Sequence, residues 1–141
     1  MTSVIPEVVY ERLRNQAGPR CGYCRTSSKI TGQPLTVEHI IPVARGGLSD
    51  EDNLWLSCRR CNEYKGSQVE AVDPETGDSV LLFDPRRQSW REHFTWSSDG
   101  TLIVGLTSCG RATVIALKLN NPDIVAARLL WAGVGWHPPE D

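Results

Sequence analysis

Apolar residues in the first half of the chain form one stretch with helical spacing and two short stretches bounded by turn residues. Val9 and Leu13 recur at helical spacing behind Pro6, a residue suited to a first helical turn, and Gly18-Pro19 ends the stretch. Pro42 ends the second stretch as expected for a strand. The pattern predicts a helix at Pro6–Asn15 and two strands at Leu35–Ile41 and Asn53–Ser57. A second helix, which Gly66 could cap, is predicted at Cys58–Lys65.

The second half of the chain opens with a polar, turn-rich stretch, GSQVEAVDPETGD. We interpret residues 67–82 as a linker or surface loop. Further on, Asp99-Gly100 lies between two apolar stretches and predicts a hairpin turn, while Thr107 or Ser108 and Asn121 can cap helices. A short helix is predicted after Asp84 and Pro85, over Arg86–His93. A hairpin of Phe94–Trp96 and Thr101–Leu106 follows it. The chain then continues into a helix ending at Leu119 and a last helix reaching about Trp131.

The order of these elements indicates an α+β fold in a chain of 141 residues, a length that suits one domain or a small module with an extension. We place the module at residues 1–66 and an accessory block of a hairpin and helices at residues 83–141. A module of about 66 residues buries only a modest core by itself. We therefore expect the accessory block to pack on the module and to stabilise it, using the apolar surface of Trp90, Trp96, Trp131 and Trp136.

Composition excludes several classes of protein. Hydrophobic residues make up 40% of the chain and charged residues 23%, which is ordinary for a globular protein and too apolar for a disordered one. The longest apolar stretches are far shorter than the roughly 18 residues that a membrane span requires. The first residues carry no basic segment followed by an apolar one, so we expect a cytoplasmic protein that neither enters a membrane nor is exported.

Charge is divided unevenly along the chain. Residues 1–66 contain nine basic residues (Lys and Arg) and seven acidic ones (Asp and Glu). Residues 67–141 contain six basic and ten acidic residues. A typical nucleic-acid-binding domain is basic throughout. We therefore expect any basic surface to lie on the N-terminal half alone.

The five cysteines include two closely spaced pairs, Cys21-x2-Cys24 and Cys58-x2-Cys61. In a reducing compartment such pairs usually bind metal, and two of them supply the four thiolates of a tetrahedral structural zinc site. The pairs are separated by 33 residues, more than the roughly 15–20 of a compact zinc ribbon, so a folded segment must lie between them. Four unrelated buried cysteines are the alternative, and Cys109 is expected to be a small buried hydrophobe.

The residues between and after the cysteine pairs form an ordered series of polar and turn residues. The series runs Glu38-His39-x2-Pro42, Gly46-Gly47, Asn53-Leu54, Cys58-x2-Cys61-Asn62 and Lys65. Over about residues 21–66 it resembles the HNH endonuclease family. The resemblance implies a ββα-metal finger stapled by the four-cysteine zinc site.

The same resemblance implies roles for individual residues. His39 would be the general base that deprotonates water, because an imidazole can be neutral and accept a proton near neutral pH. Glu38 and Asn62 would hold one catalytic divalent ion, Mg²⁺ or Mn²⁺, and Asn53 would fix the loop that orients His39. The family more often has Asp and His where this chain has Glu38 and Asn62, and both changes keep an oxygen donor.

The geometry of a regular strand conflicts with a shared site for Glu38 and His39. Successive side chains of a strand point to opposite faces, so Glu38 and His39 would diverge. A bend before Pro42 would allow both to serve one site.

Arg45 and Lys65 are the predicted contacts to nucleic-acid phosphates, with ordinary solvated surface charge as the alternative for each. The predicted function is metal-dependent hydrolysis of DNA phosphodiester bonds, with RNA left open as a substrate. The alternative is a non-catalytic zinc module that binds nucleic acid or protein.

Overall fold

A computed structural model of the protein describes residues 5–140. The chain divides into two compact units. The first runs to Val69 and includes Asp84–Arg86, and the second comprises Glu70–Phe83 and the chain from Arg87 onward. Within the described residues, no helix is long and apolar enough to cross a membrane.

The first unit contains the helix, strand, strand, helix order that the apolar pattern predicts. Its elements are α1 (Glu7–Ala17), a single-turn α2 (Ser28–Thr31), β1 (Thr36–His39), β2 (Leu54–Ser57) and α3 (Arg59–Lys65). Strands β1 and β2 pair antiparallel, with Thr36 opposite Ser57 and His39 opposite Leu54. Two short 3₁₀ turns lie in the loop between them, at Val43–Arg45 and Glu51–Asn53. The prediction of an α+β fold with a ββα unit is confirmed.

Apolar residues of α1 and β2 form the core of the first unit. Leu13, Leu54 and Leu56 are fully buried, so α1 packs on the hairpin through one face. The cysteine-containing turn lies close to the same sheet, because a side chain at Gly22 would meet the Trp55 ring at 2.5 Å. Arg86 completes this unit by donating to the Leu54 carbonyl at 3.2 Å and by lying 5.2 Å from the Trp55 ring centre.

The second unit consists of two hairpins and three helices. Its elements are β3 (Glu70–Val72), β4 (Ser79–Leu81), α4 (Trp90–His93), β5 (Phe94–Trp96), β6 (Ile103–Gly105), α5 (Ser108–Ala116) and α6 (Pro122–Gly133). Thr107 caps α5 by accepting from the Gly110 amide at 3.0 Å, and Asn121 caps α6 by accepting from the Ile124 amide at 3.1 Å. These caps and the hairpin of β5 and β6 agree with the sequence pattern. The packing of this block on residues 1–66 stays a prediction.

The structure differs from the sequence pattern at two places in this region. Residues 67–82 contain the β3–β4 hairpin instead of an irregular linker. The hairpin loop is organised by a polar side chain, since the buried Asp73 accepts from the Glu75 amide at 3.0 Å and the Thr76 hydroxyl at 3.0 Å. The helix predicted over Arg86–His93 is confined to Trp90–His93. Asp84 accepts from the Arg86 amide at 3.0 Å as a cap would, but the residues that follow form a turn.

The Asp73 carboxylate also accepts two hydrogen bonds from the Arg111 guanidinium, at 3.0 and 2.9 Å. Arg111, more than any other group, lowers the pKa of Asp73 below its ordinary value. The ion pair between Asp73 and Arg111 therefore stabilises the folded state fully above the ordinary aspartate pKa of about 3.9. This stabilisation is lost as the pH falls through the lower pKa that Asp73 has in the folded state.

We expect Asp73→Asn to lower the melting temperature at pH 7 and the difference from wild type to shrink between pH 4 and pH 2. Thermal unfolding followed by circular dichroism across this range measures both effects. Asp78→Asn, an exposed change in the same loop, is the control and is expected to alter neither value. A difference that stays constant down to pH 2 would contradict the ion-pair explanation.

Candidate metal centre and catalytic site

The four paired cysteines converge in the first unit. The Sγ atoms of Cys21, Cys24, Cys58 and Cys61 all lie within 4.8 Å of one another. The Cys58 side chain also caps α3, accepting from the Cys61 amide at 3.4 Å. Between residues 5 and 140, no other cluster of three His, Cys, Asp or Glu side chains is close enough to hold a metal ion. The predicted four-cysteine cluster is confirmed, and its donor set is that of a structural zinc site.

The surroundings of this cluster shift the pKa values of its thiols in opposite directions. Burial raises the pKa of the Cys21 thiol, whereas hydrogen bonding, first of all from Cys21, lowers the pKa of the Cys24 thiol. Four thiolates this close together, three of them buried, cannot coexist without a cation, because their charges repel. A divalent ion bound by all four sulfurs removes that conflict, so the geometry and the electrostatics both fit zinc.

The hairpin of β1 and β2 explains how the distant cysteine pairs meet. The first pair precedes β1 and the second pair begins α3 directly after β2. Because the strands are antiparallel and in register from Thr36 to His39, the start of β1 lies beside the end of β2. The 33 residues between the pairs are thus the folded segment that the spacing demands.

Asn53 fixes the loop that follows β1. Its Oδ1 accepts from the Ile41 amide at 2.8 Å, and its Nδ2 donates to the carbonyls of Ile41 and Leu48 at 3.0 and 2.7 Å. Gly47 lies so close to this point that a Cβ there would be 1.7 Å from the Ile41 oxygen. Gly47 is therefore needed for the loop to close on Asn53, whereas Gly46 is favoured by its positive φ of 85°.

His39 lies at the end of β1 and is half-buried. Its Nε2 is 2.9 Å from Ser49 Oγ, in the same loop that Asn53 closes. Its Nδ1 makes no hydrogen bond with any residue that the structure describes. Sequence reasoning missed Ser49, since a serine between Gly46-Gly47 and Asn53 carries no signal of its own.

Glu38 points away from this loop and into the protein. Its carboxylate is 2% exposed, accepts from the Tyr23 hydroxyl at 2.6 Å and forms an ion pair with Lys65 at 2.5 Å. Burial raises the pKa of Glu38, although the Lys65 ammonium acts in the opposite direction. The strand stays regular enough to separate Glu38 from His39, so the bend that would join them in one open site is not formed.

Lys65 is likewise placed differently from the prediction. Its side chain is 3% exposed, and its ammonium donates to the carbonyls of His39 and Ile40 at 3.1 and 2.8 Å. A cation held in this way is not available to a phosphate on the surface. Tyr23, between the first two cysteines, was not singled out in the sequence because a tyrosine there suggests no particular partner.

The two remaining predicted residues are accessible. Asn62 lies in α3, is half-buried, and its side chain makes no hydrogen bond with another described residue. Arg45 ends the turn Val43–Arg45 and is exposed, with its Nε donating to the Ser67 carbonyl at 3.1 Å.

Comparison with known protein families agrees with this geometry. Residues 21–68 match the HNH endonuclease family model. The match begins at the first cysteine of the cluster and ends just beyond α3, so it contains both cysteine pairs, His39 and Asn53. The family resemblance predicted from the motif is confirmed over this HNH domain.

No solved structure matches the chain at a significant level. The chain is 26% identical over 121 residues to the Septu protein PtuB of Bacillus mycoides (strain KBAB4). This alignment covers 68% of the chain but 41% of that protein, so the chain spans about two fifths of the length of this relative.

Proposed function

We propose that the protein is an endonuclease that hydrolyses phosphodiester bonds of DNA, with His39 as the general base. The observation that carries the proposal is the placement of His39. Its imidazole is held through one nitrogen by Ser49, on a loop closed by Asn53, while the other nitrogen has no partner among the described residues. An orienting hydrogen bond on one nitrogen and a free lone pair on the other are what a histidine base requires.

The proposal assigns the imidazole proton to Nε2, the nitrogen that contacts Ser49 Oγ. With Nε2 protonated and donating to Ser49 Oγ, the lone pair lies on Nδ1 and can take a proton from water. The water oxygen then forms a bond to phosphorus as the bond to the 3′-oxygen breaks, and the departing 3′-oxygen takes up a proton from solvent water. The products carry a 5′-phosphate and a 3′-hydroxyl, as the family resemblance implies.

A divalent ion, Mg²⁺ or Mn²⁺, belongs to this proposal through the same resemblance. When bound, such an ion neutralises charge that develops on the phosphate and the leaving oxygen. The accessible Asn62 offers an oxygen that fits a hard cation. Glu38 does not fit, because both of its carboxylate oxygens are buried against Tyr23 and Lys65.

Zinc in the four-cysteine cluster has a structural role in the proposal. A site closed by four cysteine sulfurs leaves no open position for substrate. The cluster joins the turn before β1 to the start of α3, and therefore holds together the two ends of the ββα unit.

DNA is the proposed partner because this unit presents an exposed guanidinium that suits phosphates. Arg45 is exposed, and residues 1–66 carry the excess of basic over acidic residues. Lys65 is no longer proposed as a phosphate contact.

The proposed activity is tested with purified, zinc-loaded protein and supercoiled plasmid in the presence of Mg²⁺ or Mn²⁺. Conversion to nicked or linear forms that stops on adding chelator is the expected result. A parallel assay with single-stranded and structured RNA separates the two substrate classes. Binding of either nucleic acid without cleavage under all conditions would favour the non-catalytic zinc module instead.

Ser49→Ala is expected to lower kcat by about fivefold to tenfold and to leave KM unchanged, because one orienting hydrogen bond is lost without a substrate contact. Steady-state cleavage of a short fluorescent duplex measures both constants. Ser49→Thr keeps the hydroxyl and is the matched control, with kcat close to wild type. Equal kcat for Ser49→Ala and wild type would show that Ser49 does not orient the base.

A further inference from the structure

We propose that Lys65 serves as a built-in cation for Glu38, and that the cluster Tyr23–Glu38–Lys65 positions the His39 backbone without binding a divalent ion. The inference rests on the proposed function for the role of His39. It assigns Glu38, the acidic residue of the HNH motif, to positioning instead of metal binding.

The contacts of Lys65 support this assignment. Its Nζ lies 2.5 Å from Glu38 Oε1, 3.1 Å from the His39 carbonyl and 2.8 Å from the Ile40 carbonyl. One carboxylate and two carbonyl oxygens thus surround the ammonium, and the side chain is 3% exposed. Oxygen atoms in this arrangement could surround a metal ion, but the lysine already supplies the positive charge.

Charge balance argues against a second cation at Glu38. The buried carboxylate and the buried ammonium neutralise each other, and the Tyr23 hydroxyl satisfies the other carboxylate oxygen at 2.6 Å. A divalent ion on Glu38 would lie next to the Lys65 ammonium, where repulsion between buried like charges is strong. Glu38 could bind that ion only if the Lys65 ammonium first gave up its contacts with three oxygen atoms.

The same cluster links the cysteine site to His39. The Tyr23 amide donates to Cys21 Sγ at 3.4 Å, and its hydroxyl donates to Glu38. Lys65 lies four residues after Cys61, and both are buried on one face of α3. The ammonium of Lys65 then bonds to the carbonyl of His39 itself. Loss of this contact would remove one restraint on the His39 backbone, while the contacts made by Ser49 and Asn53 would remain.

A double-mutant cycle on the zinc-loaded full chain tests the pairing. We expect Glu38→Gln and Lys65→Met each to lower the melting temperature by on the order of 10 °C, because each leaves one buried charge unpaired. The double variant is expected to lose clearly less than the two single losses combined. Glu63→Gln is the matched control, since this exposed glutamate pairs with the exposed Arg59 on the same helix and is expected to change nothing.

A second measurement separates positioning of His39 from general stability. The chain has three histidines, so the ring signals of His39 can be assigned by NMR with a His39 variant. Below the unfolding transition, Lys65→Met and Tyr23→Phe are expected to shift the His39 ring signals and to leave those of His93 and His137 unchanged. Tyr23→Phe removes one hydroxyl and serves if a charge variant does not fold. Unmoved His39 signals in Tyr23→Phe and in every charge variant that folds would overturn the positioning role.

Binding of Mn²⁺, followed by the loss of the free-ion EPR signal, tests whether Glu38 is a metal ligand. The proposal expects Glu38→Gln to bind Mn²⁺ with the affinity of wild type. A tenfold or greater loss of affinity, together with an unchanged melting temperature, would overturn it. None of these three measurements requires cleavage, so an inactive protein would refute the proposed function while the pairing of Glu38 and Lys65 is still decided.

Discussion

His39→Ala is expected to lower the rate of DNA cleavage by about a hundredfold to ten-thousandfold, the usual cost of losing a general base. Zinc content and melting temperature are expected to stay close to wild type, because the imidazole is half-buried and its hydrogen bond is to the Ser49 hydroxyl of the loop. Initial rates of plasmid nicking, zinc analysis and thermal unfolding of the same preparations provide the comparison.

His39→Asn is the informative companion variant. An asparagine amide can donate a hydrogen bond to Ser49 but cannot accept a proton from water at neutral pH. Activity should therefore be lost in this variant as well, although the hydrogen bond to the loop can be kept. Cleavage by His39→Ala at the wild-type rate would refute the assignment of the base, and a wild-type protein inactive on every DNA and RNA substrate would refute the proposed activity.

Asn62→Ala distinguishes ion binding from proton transfer. If Asn62 offers an oxygen to the divalent ion, the variant should lose activity at low Mg²⁺ or Mn²⁺ and recover part of it when the ion is raised. His39→Ala should show no such recovery, since the base is missing at any ion concentration. Titration of both variants with Mn²⁺ in the cleavage assay makes the comparison direct.

Removal of zinc is expected to have the second large effect, on stability. Metal binding and folding are coupled in four-cysteine sites, where binding of zinc contributes about 10–16 kcal/mol in small zinc-finger peptides. The sulfurs of Cys21, Cys24, Cys58 and Cys61 are the contacts that tie the turn before β1 to α3. Without the ion, the buried thiols of Cys21, Cys24 and Cys61 would have to stay protonated, and the ends of the ββα unit would lose this link.

Elemental analysis of protein purified without chelator should give about one zinc per chain, as expected for one four-cysteine site. Treatment with a strong chelator, or the substitution Cys24→Ser, should lower the melting temperature sharply and release the metal. Cys109→Ser is the matched control, because Cys109 lies outside the cluster and is expected to leave the zinc content unchanged. A folded protein that contains no zinc and melts at the same temperature would contradict the structural role.

Local sequence determined most of the framework of the HNH domain. Two residues between cysteines place both sulfurs of a pair on one side of a tight turn, so the spacing alone indicated the four-cysteine cluster. The loop-fixing role expected of Asn53 came from the resemblance to the HNH family, and the side chain does bond to both sides of that loop. Helix caps such as Thr107 and Asn121 also depend only on residues within three positions, and the structure has them as predicted.

Tertiary structure decided which way the motif residues face and what they contact. The sequence places Glu38 beside His39 and Lys65 in the same motif, but it does not show that strand geometry turns Glu38 inward to pair with Lys65 and Tyr23. The roles of Ser49 and of Asp73 likewise depend on partners 10 and 38 residues away. Such contacts are fixed by the packing of strands and helices on one another, and therefore leave no signal in local spacing or in the periodicity of apolar residues.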